Sequence, residues 1–374
     1  MDVGFFVDAL INAGISFFTG VPDSQLSQFC DEIARRCGSF NGSHITAHNE
    51  GGAVALASGH YLATGEVPCV YLQNSGLGNL LNPVASLTHS KVYGIPILYI
   101  VGWRGEPGTA DEPQHIFQGE ITLPLLETLE IECCIIDEAT TIDEIESALV
   151  RFEAKFAVGE SAAFVVRKGA FSGSSFTYGN SYTLNRENAI GMILDHTGSD
   201  PVVSTTGKIS RELFELRHWR EQSHACDFLS VGSMGHCLMI ALGIALEKPE
   251  RRVWCIDGDG SILMHMGSLA VVGCLSPDNL IHIVLNNAAH ETVGGMPTAA
   301  QTLDFPALAL ACGYNNAYVA TDESSLYYSL AEASEQEGPT FIEAQVSLGS
   351  RSDLGRPTTG THKNKEKFMK FLEG

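Results

Sequence analysis

Short apolar runs rich in β-branched residues alternate with segments of helical period almost from end to end of this chain. That rhythm belongs to parallel strands joined by crossover helices, so the fold class it dictates is α/β, built from doubly wound, mostly parallel sheets. Strands are expected at 15–19, 44–48, 68–73, 95–101, 132–136 and 162–167, then at 202–206, 227–231, 252–256, 280–285, 317–320 and 341–346. A helix is expected over 24–37, where Leu26, Phe29, Cys30 and Ile33 share one face, Asp23 can cap the start and Gly38 can end it. Another opens at the capping box Thr141-x-x-Glu144.

The rhythm lapses over 169–183, which fills with Gly, Ser and Asn. A linker is therefore expected at 171–184, separating a domain 1–170 from a domain 185–374 of similar size. Each half carries about six strands, which suggests two sheets of related design, although no residue-level repeat is visible. The chain carries 22 Lys and Arg against 44 Asp and Glu, a formal charge of -22, which sets nucleic acid and anionic membranes aside as partners. Any phosphate-bearing ligand must then be held by a local device that overrides the global field. The 10 cysteines contain no C-x-x-C and read as free thiols in a reducing compartment. No basic segment precedes the first apolar residues, and the strongest apolar stretch, 95–103, is far short of the roughly 20 residues a spanning helix needs. The expected location is cytoplasmic.

Ligands in doubly wound sheets bind at the carboxyl ends of the strands. There the run Val253-Trp254-Cys255-Ile256 leads into Asp257-Gly258-Asp259-Gly260-Ser261, and the next apolar strand ends in Asn286-Asn287. A carboxylate and two carboxamides would thus meet at the ends of two strands that can be neighbours. Oxygen donors, few in number and with open positions, suit Mg²⁺ completed by phosphate and water. A helix opening at Ser261 would present free amides to a diphosphate.

Gly-Asp-Gly followed, about 25 residues later, by Asn-Asn resembles the cofactor motif of the thiamin diphosphate enzymes. The resemblance implies that Asp259, Asn287 and Ala289 hold Mg²⁺, and that Gly258, Gly260 and Ser261 line the cofactor. It further implies a bulky apolar residue that keeps the cofactor bent, matched by Met234 beside Gly232, and a diphosphate-contacting turn matched by Thr206-Gly207. A glutamate from the other domain, usually of another subunit, should face the aminopyrimidine, and Glu50 at the end of the strand 44–48 occupies that place. Such a carboxyl has a raised pKa and shares a proton with the ring nitrogen. Taken without the resemblance, Glu50 is a first-turn acid favoured by the helix dipole.

Nearly the whole chain is similar to the phosphonopyruvate decarboxylase family, with the sulfopyruvate decarboxylases as relatives. The match is carried by Gly20-Val21-Pro22-Asp23-Ser24, Asn49-Glu50-Gly51, Gln73 to Asn79, Gly102-Trp103-Arg104-Gly105, Asp111 to His115, His290-x-Thr292-x-Gly294-Gly295 and Asp353 to Pro357. The middle domain common in thiamin enzymes finds no room here. The resemblance implies decarboxylation of a small anionic 2-oxo acid, with Asp23 and His115 handling protons and Arg104, Lys208 or Arg356 meeting the terminal anion. It implies self-association, with the site shared between subunits. The tail 350–374 carries six Lys and Arg against three Asp and Glu, and its arginines are expected to close over the site. Phosphonate and sulfonate are both compact anions, so the choice between them stays open, as does a thiamin diphosphate-binding protein without turnover. A nicotinamide enzyme is disfavoured because Gly76-x-Gly78 is followed by Leu81 where a third glycine belongs. A serine hydrolase lacks G-x-S-x-G, and a zinc enzyme lacks H-E-x-x-H.

Overall fold

The computed structural model describes residues 1–173 and 175–374. They form two compact units, one of Met1–Tyr178 with Thr292–Pro297 and one of Gly179–Glu291 with Thr298–Gly374.

The first unit is built on six parallel strands: β1 (Phe18–Gly20), β2 (His44–Thr46), β3 (Cys69–Gln73), β4 (Leu98–Gly102), β5 (Glu132–Ile136) and β6 (Ala162–Val166), in the order β2-β1-β3-β4-β6-β5. The second unit has β7 (Val202–Ser204), β8 (Asp227–Leu229), β9 (Val253–Gly258), β10 (Leu280–Asn286), β11 (Asn316–Ala320) and β12 (Thr340–Gln345), in the order β11-β12-β10-β9-β7-β8. Counted from its own first strand, each sheet reads 2-1-3-4-6-5, so the two halves share one topology without a residue-level repeat. Every strand of β4 and β6 is buried along its length, because helices cover both faces; continuous apolar runs are what such strands need. Two apolar clusters flank each sheet, one on either face.

Local chemistry sets the element ends. Thr141 and Glu144 form the reciprocal capping box, and Gly38 closes the helix Ser27–Cys37 at φ 75°. That helix starts three residues later than expected and Asp23 does not cap it: residue Leu26 precedes its first turn, and the Asp23 carboxylate is drawn instead to Gln73 Nε2 at 2.6 Å. The edge strand β8 is covered by the C-terminal helix Thr361–Glu373. Asn364 of that helix donates to Asp227 O at 2.8 Å and accepts from Leu229 N at 3.3 Å, closing backbone groups that an edge strand leaves open. Among the described residues no helix is long and apolar enough to cross a membrane.

Candidate active site

In the second unit, β9 and β10 lie side by side, with Gly258 level with Leu285. The register brings Asp259, at the start of a six-residue helix Asp259–Met264, next to the Asn286-Asn287 corner. Asp259 is 3% exposed. Its carboxylate accepts from Thr298 Oγ1 at 2.6 Å, and burial pushes its pKa up to about 7 despite that bond and several backbone amides. A buried carboxylate in that condition is one a cation relieves. Asn287 Oδ1 accepts from Ala289 N at 3.1 Å, so the corner is folded back and its oxygens lie together. The donors available here are a carboxylate, a carboxamide oxygen and a backbone carbonyl, a set that fits Mg²⁺. The two asparagines differ in duty: Asn286 donates to the buried Glu343 at 2.7 Å and is structural.

Met234 and His290 flank the same corner. A Cβ built on Gly260 would stand 3.2 Å from the Met234 Cε and from the Cε1 and Nδ1 of His290, so only glycine keeps this cradle clear. Ser233 adopts φ 53° and presents Met234. Ser261 holds the neighbouring turns together: its hydroxyl accepts from Gly235 N and from Thr205 Oγ1, each at 3.0 Å. That engagement makes Ser261 a brace for the turns 205–207 and 232–235, and leaves its hydroxyl proton to donate. Thr206 donates to Val231 O at 2.8 Å, and Gly207 precedes the first turn of the helix Lys208–Trp219.

In the first unit, Glu50 opens the helix Glu50–Thr64 immediately after β2, and Asn49 caps it by accepting from Gly52 N at 2.7 Å. Glu50 is 4% exposed. Burial raises its pKa, opposed by the 2.6 Å bond it accepts from Asn79 Nδ2. A Cβ on Gly76 would overlap the Glu50 carboxylate, so that glycine makes the room in which the acid sits. Asp23, fully buried after β1, is likewise pushed up by burial, and is drawn down by Gln73 and by the charge of Arg104.

Two of the three candidate cations meet acids within the fold. Arg104 is forked onto Asp111, at 2.8 Å from Nε and 2.5 Å from Nη2, and its Nη1 donates to Ser24 Oγ at 3.0 Å. Lys208 donates to Glu291 at 2.8 Å. His115 lies in the first turn of the helix Pro113–Thr128. Arg356 is exposed. Arg351 stacks on Trp219, 4.4 Å from its ring centre, and the backbone of Leu354 and Gly355 is held by Arg211. Trp219 ends the 12-residue helix that Lys208 begins, about 16 Å away at the helical rise.

Sequence reasoning missed Glu291, Thr298 and Asn79. Glu291 gathers Lys208, Asn287 Nδ2 at 2.8 Å, Gly349 N at 3.0 Å and the Arg186 guanidinium, which is itself forked onto Glu212 at 2.7 Å. Burial raises the Glu291 pKa and the two cations bring it below the usual range. The proximity of Glu291 to Asn287 along the chain was a usable signal; that of Thr298 to Asp259, 39 positions apart, was not.

The description "Thiamine pyrophosphate enzyme, N-terminal TPP binding domain" matches residues 3–126, and "Thiamine pyrophosphate enzyme, C-terminal TPP binding domain" matches residues 205–344. The chain belongs to the thiamine pyrophosphate enzymes, and thiamin diphosphate is its cofactor. Within that family it is similar over its length to a phosphonopyruvate decarboxylase of Streptomyces viridochromogenes, at 36% identity over 98% of this chain and 94% of the relative. A sulfopyruvate decarboxylase of Methanosarcina acetivorans is 27% identical over 90% of this chain and 89% of its own length. The sulfopyruvate decarboxylase subunit beta of Methanothermobacter thermautotrophicus is 35% identical over 51% of this chain and 97% of its own.

Proposed function

We propose that the protein decarboxylates phosphonopyruvate to phosphonoacetaldehyde and CO₂, using thiamin diphosphate and Mg²⁺. The observation that supports this most is the full-length similarity to a phosphonopyruvate decarboxylase, combined with a buried carboxylate and a folded-back asparagine at the ends of adjacent strands. When bound, thiamin diphosphate supplies a nucleophilic thiazolium carbon and a ring that takes up the electrons released with CO₂. Asp259, Asn287 and the Ala289 carbonyl would hold Mg²⁺. Met234, Thr206, Gly207, Gly232, Gly258, Gly260 and Ser261 would line the cofactor.

Glu50 would hold a proton at the aminopyrimidine nitrogen, a task suited to a carboxyl whose pKa is raised by burial. Asp23 and His115 would hold and move the proton that the product requires. Arg104 is our candidate for the phosphonate, because Asp111 holds its fork rigidly while its charge reaches Asp23; Lys208 and Arg356 are alternatives. The location of the domain boundary near 171–184 and self-association also belong to this reading. The separate beta subunit of a sulfopyruvate decarboxylase relative supports an assembly of more than one chain. Sulfopyruvate remains a second reading, favoured by the similarity to a sulfopyruvate decarboxylase over 90% of the chain.

The test is aldehyde formation from phosphonopyruvate, sulfopyruvate and pyruvate by the purified protein with thiamin diphosphate. Phosphonopyruvate should react fastest, EDTA should abolish the rate and Mg²⁺ should restore it. Arg104→Ala should shrink the preference for phosphonopyruvate over pyruvate. A protein inactive on all three acids overturns the proposal.

A further inference from the structure

His290 follows the Asn287 corner by three positions and is 8% exposed. Its ring lies against the open face of Gly260, in company with the Met234 methyl. Neither ring nitrogen bonds to a described residue, yet neither is sealed off from accessible space. A histidine that merely fills a core behaves otherwise. The buried His282, on the strand β10 that leads to the corner, has its Nδ1 at 3.3 Å from the Tyr314 hydroxyl and its Nε2 sealed within the core. A ring held between protein groups, with nitrogens that bond nothing in the fold and still reach accessible space, is free to meet a ligand. The ring also stands beside two groups assigned above to the cofactor corner, Gly260 and Met234.

We propose that His290 contacts the substrate, donating a ring N–H to an oxygen of the 2-oxo acid, an inference that rests on the decarboxylase reading above. The chemistry matches: an imidazole in its neutral form carries one donor and one acceptor, whereas the keto and carboxylate oxygens of a 2-oxo acid are acceptors only. The metal corner already has its oxygen donors and does not call for a nitrogen. A donor beside Gly260 strengthens its bond as negative charge accumulates on a substrate oxygen.

The experiment compares wild type, His290→Phe and His290→Gln. Phenylalanine preserves the ring volume and removes both nitrogens, and glutamine restores a donor. Thiamin diphosphate with Mg²⁺ is titrated by tryptophan fluorescence. The 2-hydroxy analogue of phosphonopyruvate, which keeps both anionic ends and cannot lose CO₂, is titrated calorimetrically on the loaded protein. In His290→Phe the cofactor Kd should stay within about twofold of wild type, while kcat/KM falls and the analogue Kd rises by about tenfold, the value of one hydrogen bond. His290→Gln should recover most of that loss. The inference is overturned if His290→Phe keeps kcat/KM and analogue affinity within about twofold of wild type. It is equally overturned if cofactor affinity falls in step with activity, which would make the ring a wall of the cofactor site. Wild-type protein inactive on every acid overturns the decarboxylase reading and this inference with it, and is seen before any variant is compared.

Discussion

A carboxyl group enclosed in protein resists ionisation, and Glu50 is held that way in the space at Gly76, against the opposing bond from Asn79. Gly76→Ala should therefore displace the acid without touching any other group in the unit's core. The expected result is a loss of at least about a hundredfold in kcat, similar to Glu50→Gln, since positioned acid–base groups contribute that much or more. Thiamin diphosphate affinity, read by fluorescence quenching, should fall far less; unchanged turnover in Glu50→Gln would falsify the role. Asp23 gives a pH test. Its pKa is raised in the fold, so the folded state binds its proton more readily than the unfolded chain, and stability is lost as pH rises through the folded pKa. Asp23→Asn carries no such charge. Its melting midpoint should decline less than that of the wild type as pH rises above the ordinary carboxylate range, and it should be impaired in turnover. Parallel declines in the two proteins would count against a raised Asp23. Asp259, Asn287 and Glu50 were legible as residues because each follows a recognisable strand within a local motif. Thr298 and Asn79, which bond two of them, come from segments distant in the chain, a loop and the helix Leu77–Pro83.

At the scale of elements, all twelve strands were legible within a few residues, since strands buried on both faces must be apolar throughout. Element ends were less so. Asp23 has the composition of a cap, yet one of its oxygens goes to Gln73 on the neighbouring strand and the other to the amide of Gln25, ahead of the helix. In the tail, Arg351 finds an aromatic face on Trp219 and acids at Glu187 and Glu215. Deleting the tail is a poor probe of the site, because Leu354, Asn364 and Phe368 are buried. The edge strand β8 depends on a buried ion pair, Asp227 with Arg217, at 3.0 Å and 3.1 Å. Asp227→Asn leaves the arginine buried without its counter-charge, and should cost about 3 kcal/mol in urea unfolding. A cost below about 0.5 kcal/mol, the range of an ordinary surface change, would mean that solvent reaches Arg217.

Over the whole molecule, the charge of -22 acts on every anionic substrate before any contact forms. Between 10 mM and 100 mM ionic strength the Debye length contracts from about 30 Å to 10 Å, so repulsion is screened and kcat/KM for phosphonopyruvate should rise by roughly threefold. A fall over the same range would show that local cations steer the substrate. The alternation of apolar runs and amphipathic helices determined, by itself, that this chain makes two parallel α/β sheets, because a strand's burial and a helix's face are written in consecutive residues. Only the tertiary structure decided that both sheets share the order 2-1-3-4-6-5, and that the cations nearest the motifs are already paired. It also decided that His290 faces Gly260 with its nitrogens unbonded. Those facts depend on which distant side chains compete for the same oxygen or the same void, and competition of that kind has no period along the chain.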